Sequence, residues 1–178
     1  MEMEKIVTLA PIETDRFVLR PLRKSDMGLI EMYWSDVRIA HMTTSIPHPV
    51  PPGMTEAFVS RAMADQRDED IWAMDGHKTG GSEVMGLISL ERMDRDQSEV
   101  AYWVAPPFWN TGLASDAVQA LVNANPMQNA AMFASVFQDN PASARVQTHC
   151  GFKYLGDAES FCVGRDKTVP TWTYSHRF

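Results

Sequence analysis

The sequence predicts an α/β fold built as one domain, and three observations lead to this prediction. The strand-like "EVAYWVA" runs into a small-residue turn, a strong helix former at 115–124 and an unbroken apolar run at 130–137, so the centre reads strand, turn, helix, strand. The turns "DGHKTGGS" and "RMDRDQS" separate "IWAM", "EVMGLISLE" and "EVAYWVA", which predicts an antiparallel meander. The 178 residues are 44% hydrophobic, enough for one sizeable core, so we expect one domain over 1–178.

The N-terminal part begins with a predicted strand and a predicted helix. "RFVLRPL" (16–22) alternates apolar and polar residues up to Pro21 and is typical of a strand. Ser25 is a suitable N-cap for a helix over 26–36, in which apolar residues recur at helical spacing: Leu29, Met32 and Tyr33 or Trp34.

A loop and a second helix follow. The segment 45–53 contains four prolines and a glycine and predicts a loop. Thr55 can cap a helix over 56–70, whose predicted apolar face consists of Ala57, Phe58, Ala62 and Met63.

The C-terminal part carries a well-bracketed helix and two strands. Asn140 is a predicted N-cap, Pro141 takes the first helical position and Gly151 lies just beyond the last turn. The segments "SFCVG" and "VPTWTYSHRF" are predicted strands joined by the turn "RDK".

Charge and composition narrow the function classes. Sixteen Lys and Arg against 23 Asp and Glu give a net charge of -7, which argues against a nucleic-acid partner or an anionic membrane surface. The first 16 residues carry acids where a secretory signal carries bases, and no apolar run approaches the roughly 18 residues of a membrane span. We therefore expect a cytoplasmic protein.

The cysteines and histidines indicate neither a redox motif nor a metal site. Cys150 and Cys162 have no metal or redox spacing, and we expect both to be free, buried thiols. The five histidines show no pair at the i, i+4 spacing of a helical zinc site. We predict no metal.

The stretch "PPFWNTGLASDA" (106–117) predicts an anion-binding turn. The first N–H groups of a helix have no intrahelical partner, and together with the helix dipole they attract an anion. Gly112 and Ala114 let a diphosphate approach the backbone closely. The stretch lacks the Gly-Lys-Ser/Thr ending of a P-loop and the glycine spacing of a dinucleotide fold.

Three segments together resemble the GNAT acetyltransferase superfamily, and in detail its ribosomal-protein-alanine N-acetyltransferase branch: "ETDRFVLRPL", "EVAYWVAPPFWNTGLASDA" and "NPASARVQTHCGF". The resemblance covers nearly the whole chain and rests on the order and spacing of all three. It implies a GNAT fold, with a mixed central sheet flanked by helices. It also implies an enzyme that moves acetyl from acetyl-CoA to a primary amine by direct attack in a ternary complex.

The resemblance assigns residues to acetyl-CoA. It implies that the turn holds the diphosphate through Asn110, Thr111, Gly112, Leu113, Ala114 and Ser115. It places an oxyanion-binding N–H near Trp103 or Val104, Asn140 beside the pantetheine arm and Ser143 near the thiol. Thr111 stands where the family commonly has a basic residue, which removes one charge contact but keeps the backbone N–H groups.

Glu99 and Ser143 are the candidate catalytic residues. Alternation along "EVAYWV" puts Glu99, Ala101 and Trp103 on one face, and in the superfamily a glutamate on this strand is often the base; the alternative is a solvated residue at a hairpin turn. Many members have a proton-donating tyrosine where this chain has Gln147. The acid is then Ser143, a water or unnecessary.

The acceptor and the assembly stay open at this stage. The acceptor is a peptide N-terminus or a small amine, and the alternative to an enzyme is a catalytically silent acyl-CoA sensor. Trp34, Trp72 and Trp109 either line the cleft or belong to the core. We expect a homodimer, in which the terminal strand "TVPTWTYSHRF" pairs with a second subunit or forms a sheet edge.

Overall fold

An eight-stranded sheet with helices on both faces forms the framework of the protein. The computed structural model describes residues 9–178; residues 1–8, on which part of the expectation about a secretory signal rests, lie outside them. The helices are α1 (Met27–Trp34), α2 (Val37–Met42), α3 (Met54–Met63), α4 (Leu113–Ala124) and α5 (Pro141–His149). The strands are β1 (Ile12–Glu13), β2 (Val18–Pro21), β3 (Glu69–Asp75), β4 (Gly86–Met93), β5 (Gln97–Val104), β6 (Ala131–Phe137), β7 (Lys153–Cys162) and β8 (Lys167–Arg177). The predicted α/β fold with a mixed central sheet is confirmed.

The sheet is antiparallel except at its centre. Its strand order is β1-β2-β3-β4-β5-β6-β8-β7, and β5 pairs with β6 in parallel. Helix α4 connects these two strands, because parallel neighbours need a crossover connection. Their pairing spans three positions, from Gln97↔Ala131 to Glu99↔Phe133. Beyond that point the two strands separate and leave a gap in the sheet.

Two hydrophobic clusters cover the two faces of the sheet. We call the face under α1, α2 and α3 the front face; its cluster includes Ile30, Trp34 and Trp103. We call the face under α4 and α5 the back face; its cluster includes Val100, Val104 and the apolar side of α4. The alternation predicted for the central strand is therefore confirmed, since Trp103 faces front and Val104 faces back.

The first predicted helix differs from the structure in its bounds and its buried face. Ser25 lies inside a 3-10 turn (Lys24–Asp26) and caps no helix; the helix predicted over 26–36 is α1, and the short helix α2 that follows it was not predicted. The buried residues of α1 are Ile30 and Trp34, whereas Met32 is 55% exposed. Leu29 and Tyr33 pack against the front-face cluster and Trp34 is buried in it, so the predicted face is correct except that it includes Met32 and omits Ile30.

The second predicted helix ends early. Helix α3 stops at Met63, and the last two residues of the predicted helix belong to β3. Gly53 is the N-cap, while the buried Thr55 donates its hydroxyl hydrogen bond to Glu31 Oε1 in α1. Its buried face is Thr55, Val59 and Ala62, and the predicted face members Ala57 and Met63 are exposed. The charged segment after Met63 contains no local stop signal, so its sequence predicts helix. In the structure, β3 begins within this segment, at Glu69, and pairs there with β4.

The helices that border the gap match their prediction closely. Helix α4 begins at Leu113, two residues earlier than predicted, with Gly112 as its N-cap. In α5, Asn140 is the N-cap and its side chain accepts a hydrogen bond from the Ser143 N–H, with Pro141 at the first helical position. Gly151 follows the last turn, where the Phe152 N–H closes a bond to the Gln147 carbonyl.

The C-terminal strand is interior, so the prediction that it forms an edge or an intersubunit strand is wrong. β8 pairs with β6 on one side and with β7 on the other over almost its full length. The sequence does not reveal that β7 is the partner strand. β7 begins at Lys153 and is mostly exposed, and only its end is predicted as a strand. β7 is the edge of the sheet at this side.

Smaller differences concern strand ends: β2 is shorter than the predicted 16–22, β4 starts at Gly86 and β5 starts at Gln97. Between residues 9 and 178, no helix has the length and apolar character needed to cross a membrane.

Candidate active site

A cleft of about 1130 Å³ enters the sheet where β5 and β6 separate. It is lined from the front by the end of α2 and the following loop, and from the back by the start of α4 and one side of α5. All the residues that the sequence proposed for the site line this one cleft: Glu99, Trp103, Val104, Asn110, Thr111, Gly112, Leu113, Ala114, Ser115, Asn140 and Ser143. The structure thus brings together residues up to 44 positions apart, from Glu99 to Ser143.

The turn before α4 presents backbone donors to the cleft. Asn110 and Gly112 both have positive φ, at 61° and 77°, which lets the chain reverse sharply into the helix. The first helical hydrogen bond runs from the Asp116 N–H to the Gly112 carbonyl, at 3.0 Å. The N–H groups of residues 113–115 therefore precede the helical ladder and are available to an anion.

Arg16 holds this turn in place and forms an ion pair with Asp116 in the first turn of α4. Its Nη1 donates to the Thr111 carbonyl at 2.8 Å, and its Nε and Nη2 donate to Asp116 Oδ2. The guanidinium thus lies at the start of α4, beside the position of the missing basic residue. Sequence reasoning missed this residue because it lies 95 positions before the turn.

Backbone geometry distinguishes the two predicted oxyanion donors. The Ala105 N–H bonds to the Met85 carbonyl, on the side of β4. Since successive N–H groups of a strand point to opposite sides, the Val104 N–H points away from β4 and toward the gap, and the Trp103 N–H points toward β4. The Val104 carbonyl accepts a hydrogen bond from Trp109 Nε1 at 2.6 Å, which fixes the strand end.

A row of three carboxylates crosses the front face. The strand register pairs Glu69 with Glu91 and Glu91 with Glu99 on β3, β4 and β5, and Glu69 and Glu99 line the cleft. Burial, and then the neighbouring Glu91 and Glu69, raise the pKa of Glu99. Glu99 thus lies within a strand, half-buried, rather than at a solvated hairpin turn.

A network of neutral polar groups lies on the back face. Tyr102 Oη lies 2.6 Å from Ser143 Oγ, and the side-chain amide of Gln147 also bonds to the phenol. Burial raises the pKa of Tyr102. Sequence reasoning identified Ser143 and Gln147 but missed Tyr102, although strand alternation already placed it opposite Glu99.

The cleft wall retains unsatisfied polar atoms that suit an amide-bearing ligand. Gln147 is 1% exposed, and its Oε1 has no hydrogen-bond partner among the described residues. A buried carbonyl without a donor is unfavourable unless a ligand or water supplies one. Asn140 makes its N-cap bond through Oδ1, at 3.4 Å, so its side-chain amide nitrogen takes no part in that bond.

A clamp holds the end of α2, which lines the cleft from the front. We use this name for the β7–β8 turn (163–166) seated on the end of α2. The Val163 N–H donates to the Thr44 carbonyl and Arg165 Nε donates to the His41 carbonyl. Arg165 also pairs with Asp139 at 2.5 Å, so the turn is tied to the end of β6 as well.

The three tryptophans divide between cleft and core. Trp34 and Trp109 line the cleft, whereas Trp72 is fully buried and donates to the Ala10 carbonyl. The indole N–H of Trp34 is buried and has no partner among residues 9–178.

The two cysteines are free and buried, as predicted. Burial, followed by the nearby Asp116, raises the pKa of the Cys150 thiol to about 11, so it is an inert packing group. In the described part of the chain, no group of three His, Cys, Asp or Glu side chains is arranged to hold a metal ion.

Comparisons with known proteins agree with this geometry. The sequence model of the acetyltransferase (GNAT) domain matches residues 16–153. A search of curated protein sequences gives no match.

Solved structures with the same fold include three informative ones. A ribosomal L7/L12 alpha-N-protein acetyltransferase in complex with coenzyme A is 16% identical, with a TM-score of 0.79 over 95% of this chain and 98% of that one. A ribosomal-protein-S5-alanine acetyltransferase from Vibrio fischeri is 17% identical, with a TM-score of 0.75 over 94% and 96%. A spermidine N-acetyltransferase from Vibrio cholerae, in complex with CoA and spermine, is 17% identical, with a TM-score of 0.73 over 90% and 95%.

At identities of 16–17%, the solved structures show only a shared fold. The family follows from the domain match, which covers most of the chain and includes β5, the turn and α5. The chain therefore belongs to the acetyltransferase (GNAT) family and is an acetyl-CoA-dependent N-acetyltransferase.

Proposed function

We propose that the protein transfers acetyl from acetyl-CoA to a primary amine that enters the cleft as a cation, by direct attack in a ternary complex. The observation that carries this proposal is the division of the cleft by β5, with carboxylates on its front face and neutral donors on its back face. The bound thioester supplies an electrophilic carbonyl, and the residues of this chain supply the rest.

Cofactor binding falls to the back face and the turn. The N–H groups of residues 113–115 receive the diphosphate at the α4 N-terminus, with Arg16 as the nearby cation. Asn140 and the orphaned Gln147 Oε1 meet the polar atoms of the pantetheine arm. The Val104 N–H, at the open edge of β5, binds the oxygen of the thioester carbonyl as it gains negative charge.

Amine activation falls to the front face. A primary amine is protonated near pH 7 and must lose a proton to attack. Glu99 accepts that proton, directly or through a water. Its raised pKa makes it a stronger base than an ordinary glutamate. Glu69 and Glu91 have no ion-pair partner among the described residues, and their charge attracts a cationic acceptor.

The unpaired Trp34 indole favours an acceptor with an oxygen near its amine. The N-terminal residue of a peptide carries such a carbonyl oxygen, whereas a polyamine carries none. We therefore propose a peptide N-terminus as the preferred acceptor and a small amine as the alternative.

An acceptor panel tests this function. Acetyl-CoA consumption is measured with short peptides, amino-acid amides and polyamines at equal concentrations. Faster turnover with peptides than with polyamines supports the preferred acceptor. Trp34→Phe should then narrow the difference between these two rates. Faster turnover with polyamines contradicts it. CoA binding without acetyl transfer to any amine indicates a silent acyl-CoA sensor instead.

A further inference from the structure

The family position that commonly carries a tyrosine holds Gln147 here, yet a phenol occupies the same corner of the cleft. It comes from β5 as Tyr102, whose hydroxyl lies 2.6 Å from Ser143 Oγ on α5. Both hydroxyls and Gln147 line the cleft on its back face. Helix α5 thus lacks the tyrosine, but the facing strand β5 carries one.

The partners of Tyr102 set the direction of the hydrogen bonds. Gln147 lies next to the phenol and its Oε1 has no partner among the described residues, so its amide N–H is the group able to donate to the phenol oxygen. The phenol proton is then directed to the remaining neighbour, Ser143 Oγ. With that lone pair occupied, the Ser143 hydroxyl proton is free to point into the cleft.

We propose that Tyr102 is a positioning residue for the leaving group: it donates to Ser143 and so directs the Ser143 hydroxyl proton to the sulfur of the cofactor. This inference rests on the proposed function. As the C–N bond forms, the C–S bond breaks and the thiolate leaves with its electron pair. The Ser143 O–H stabilises that thiolate by a hydrogen bond, and the sulfur takes its proton from solvent after release.

Tyr102 keeps its own proton throughout. Its phenol is half-buried and desolvation raises its pKa, so transfer of the phenol proton to a thiolate, whose conjugate acid has a pKa near 8.5, is unfavourable. The network therefore acts by donating hydrogen bonds rather than by supplying a proton, and Ser143 is the group that touches the sulfur.

The test measures CoA binding and the pKa of the bound CoA thiol, followed by the ultraviolet absorption of the thiolate. A donor at the sulfur favours the thiolate, so Tyr102→Phe is expected to raise that pKa by about one unit, the effect of one net hydrogen bond. The nearby Cys150 titrates at about 11, above the range of the CoA thiol. Among the described residues, the other charged or titratable side chains on this side of the cleft are Asp116, Arg145 and His149. They are the same in the wild type and in Tyr102→Phe, so they do not account for a difference in thiol pKa between the two proteins.

Kinetics supply the second readout. Tyr102→Phe should lower kcat about tenfold with the KM for acetyl-CoA unchanged. In a Ser143→Ala background, Tyr102→Phe should have no further effect on kcat, because the residue acts through Ser143. Tyr154→Phe is the matched control: Tyr154 is 55% exposed on β7 and also donates one side-chain hydrogen bond, to Asp157. Its values should equal those of the wild type.

The outcomes separate this inference from the proposed function. An unchanged CoA thiol pKa in Tyr102→Phe, or additive losses of kcat in the double variant, overturns the role of Tyr102 even if acetyl transfer proceeds. A shifted thiol pKa without transfer to any amine supports Tyr102 and overturns the proposed function. Failure of the wild type to bind CoA overturns both. Equal melting temperatures of wild type and Tyr102→Phe assign any change to the site and not to folding.

Discussion

The two faces of β5 carry opposite chemistry on residues only three positions apart. On the front face, Glu99 belongs to a row of carboxylates that repel one another. On the back face, the half-buried Tyr102 belongs to a set of neutral groups, in which its hydroxyl lies 2.6 Å from Ser143 Oγ. In the proposed mechanism, side-chain alternation along β5 places a base on one side of the reacting atoms and hydrogen-bond donors on the other. In that mechanism the sheet itself keeps proton acceptance and leaving-group stabilisation apart.

The largest expected effect comes from the front face. Glu99→Gln removes the proton acceptor but preserves the shape of the side chain, and should lower kcat about a hundredfold. Acetyl-CoA binding, measured by calorimetry, should change little. Glu91→Gln is the control, since Glu91 shares the carboxylate row but is exposed on β4. An equal loss of kcat in both variants would indicate that the charge of the row matters and not Glu99 itself.

The same variant distinguishes function from stability. The raised pKa of Glu99 means that the folded protein binds this proton more tightly than the unfolded chain, so Glu99 lowers stability as pH rises through that pKa. At pH 7 the free energy of unfolding of Glu99→Gln should equal or exceed that of the wild type, and the difference should vanish below about pH 4. A destabilised Glu99→Gln protein at pH 7 would contradict the assigned environment.

The second expected effect concerns the turn that serves the back face. Gly112 has φ of 77°, and a β-branched residue there is strained although only Arg16 Nη2 lies near the Cβ position, at 3.5 Å. Gly112→Val should displace the N–H groups and weaken CoA binding by roughly tenfold or more, corresponding to 1–2 kcal/mol of strain.

Gly80 offers a matched control for this substitution. It has the same φ of 77°, with open space at its Cβ position, in a turn away from the cleft. Gly80→Val imposes the same strain without touching the turn and should leave CoA affinity unchanged. Equal affinity losses in Gly112→Val and Gly80→Val would show that strain, and not the turn, governs binding.

The smallest expected effect comes from the clamp on the front face. A Cβ on Gly164 would lie 2.6 Å from the Ala40 carbonyl oxygen, so Gly164→Ala must push the β7–β8 turn off α2. The KM for the acceptor should rise about threefold while the KM for acetyl-CoA stays constant, since the clamp lies on the front face only. A rise in the KM for acetyl-CoA would show that the two faces are not independent.

Much of the framework was predictable, because strong local signals mark it. The Asn140–Pro141 start of α5, the Gly112 entry to α4 and the apolar run of β6 all correspond to the structure within two residues. These elements surround the cleft, and the residues quoted for the site therefore converged on it. Strand alternation also placed Glu99 and Tyr102 on opposite faces.

The remaining features depend on contacts between distant parts of the chain. The partner of β8 is an exposed strand with a weak apolar pattern, and Arg16 reaches the turn from 95 residues away. The Tyr102–Ser143 pair joins a strand and a helix 41 residues apart, and the carboxylate row appears only once the register of three strands is known. No periodicity within one segment carries such information.

The dependence of kcat on pH, compared between the wild type and Glu99→Gln at saturating acetyl-CoA and acceptor, tests the division across β5 most directly. The wild type should lose activity on its acidic side with an apparent pKa above that of an ordinary glutamate, because burial and the neighbouring carboxylates raise the pKa of Glu99. Glu99→Gln should be slow and should lack that acidic limb. An identical acidic limb in both proteins, with wild-type turnover in the variant, would contradict the assignment of the base to the front face.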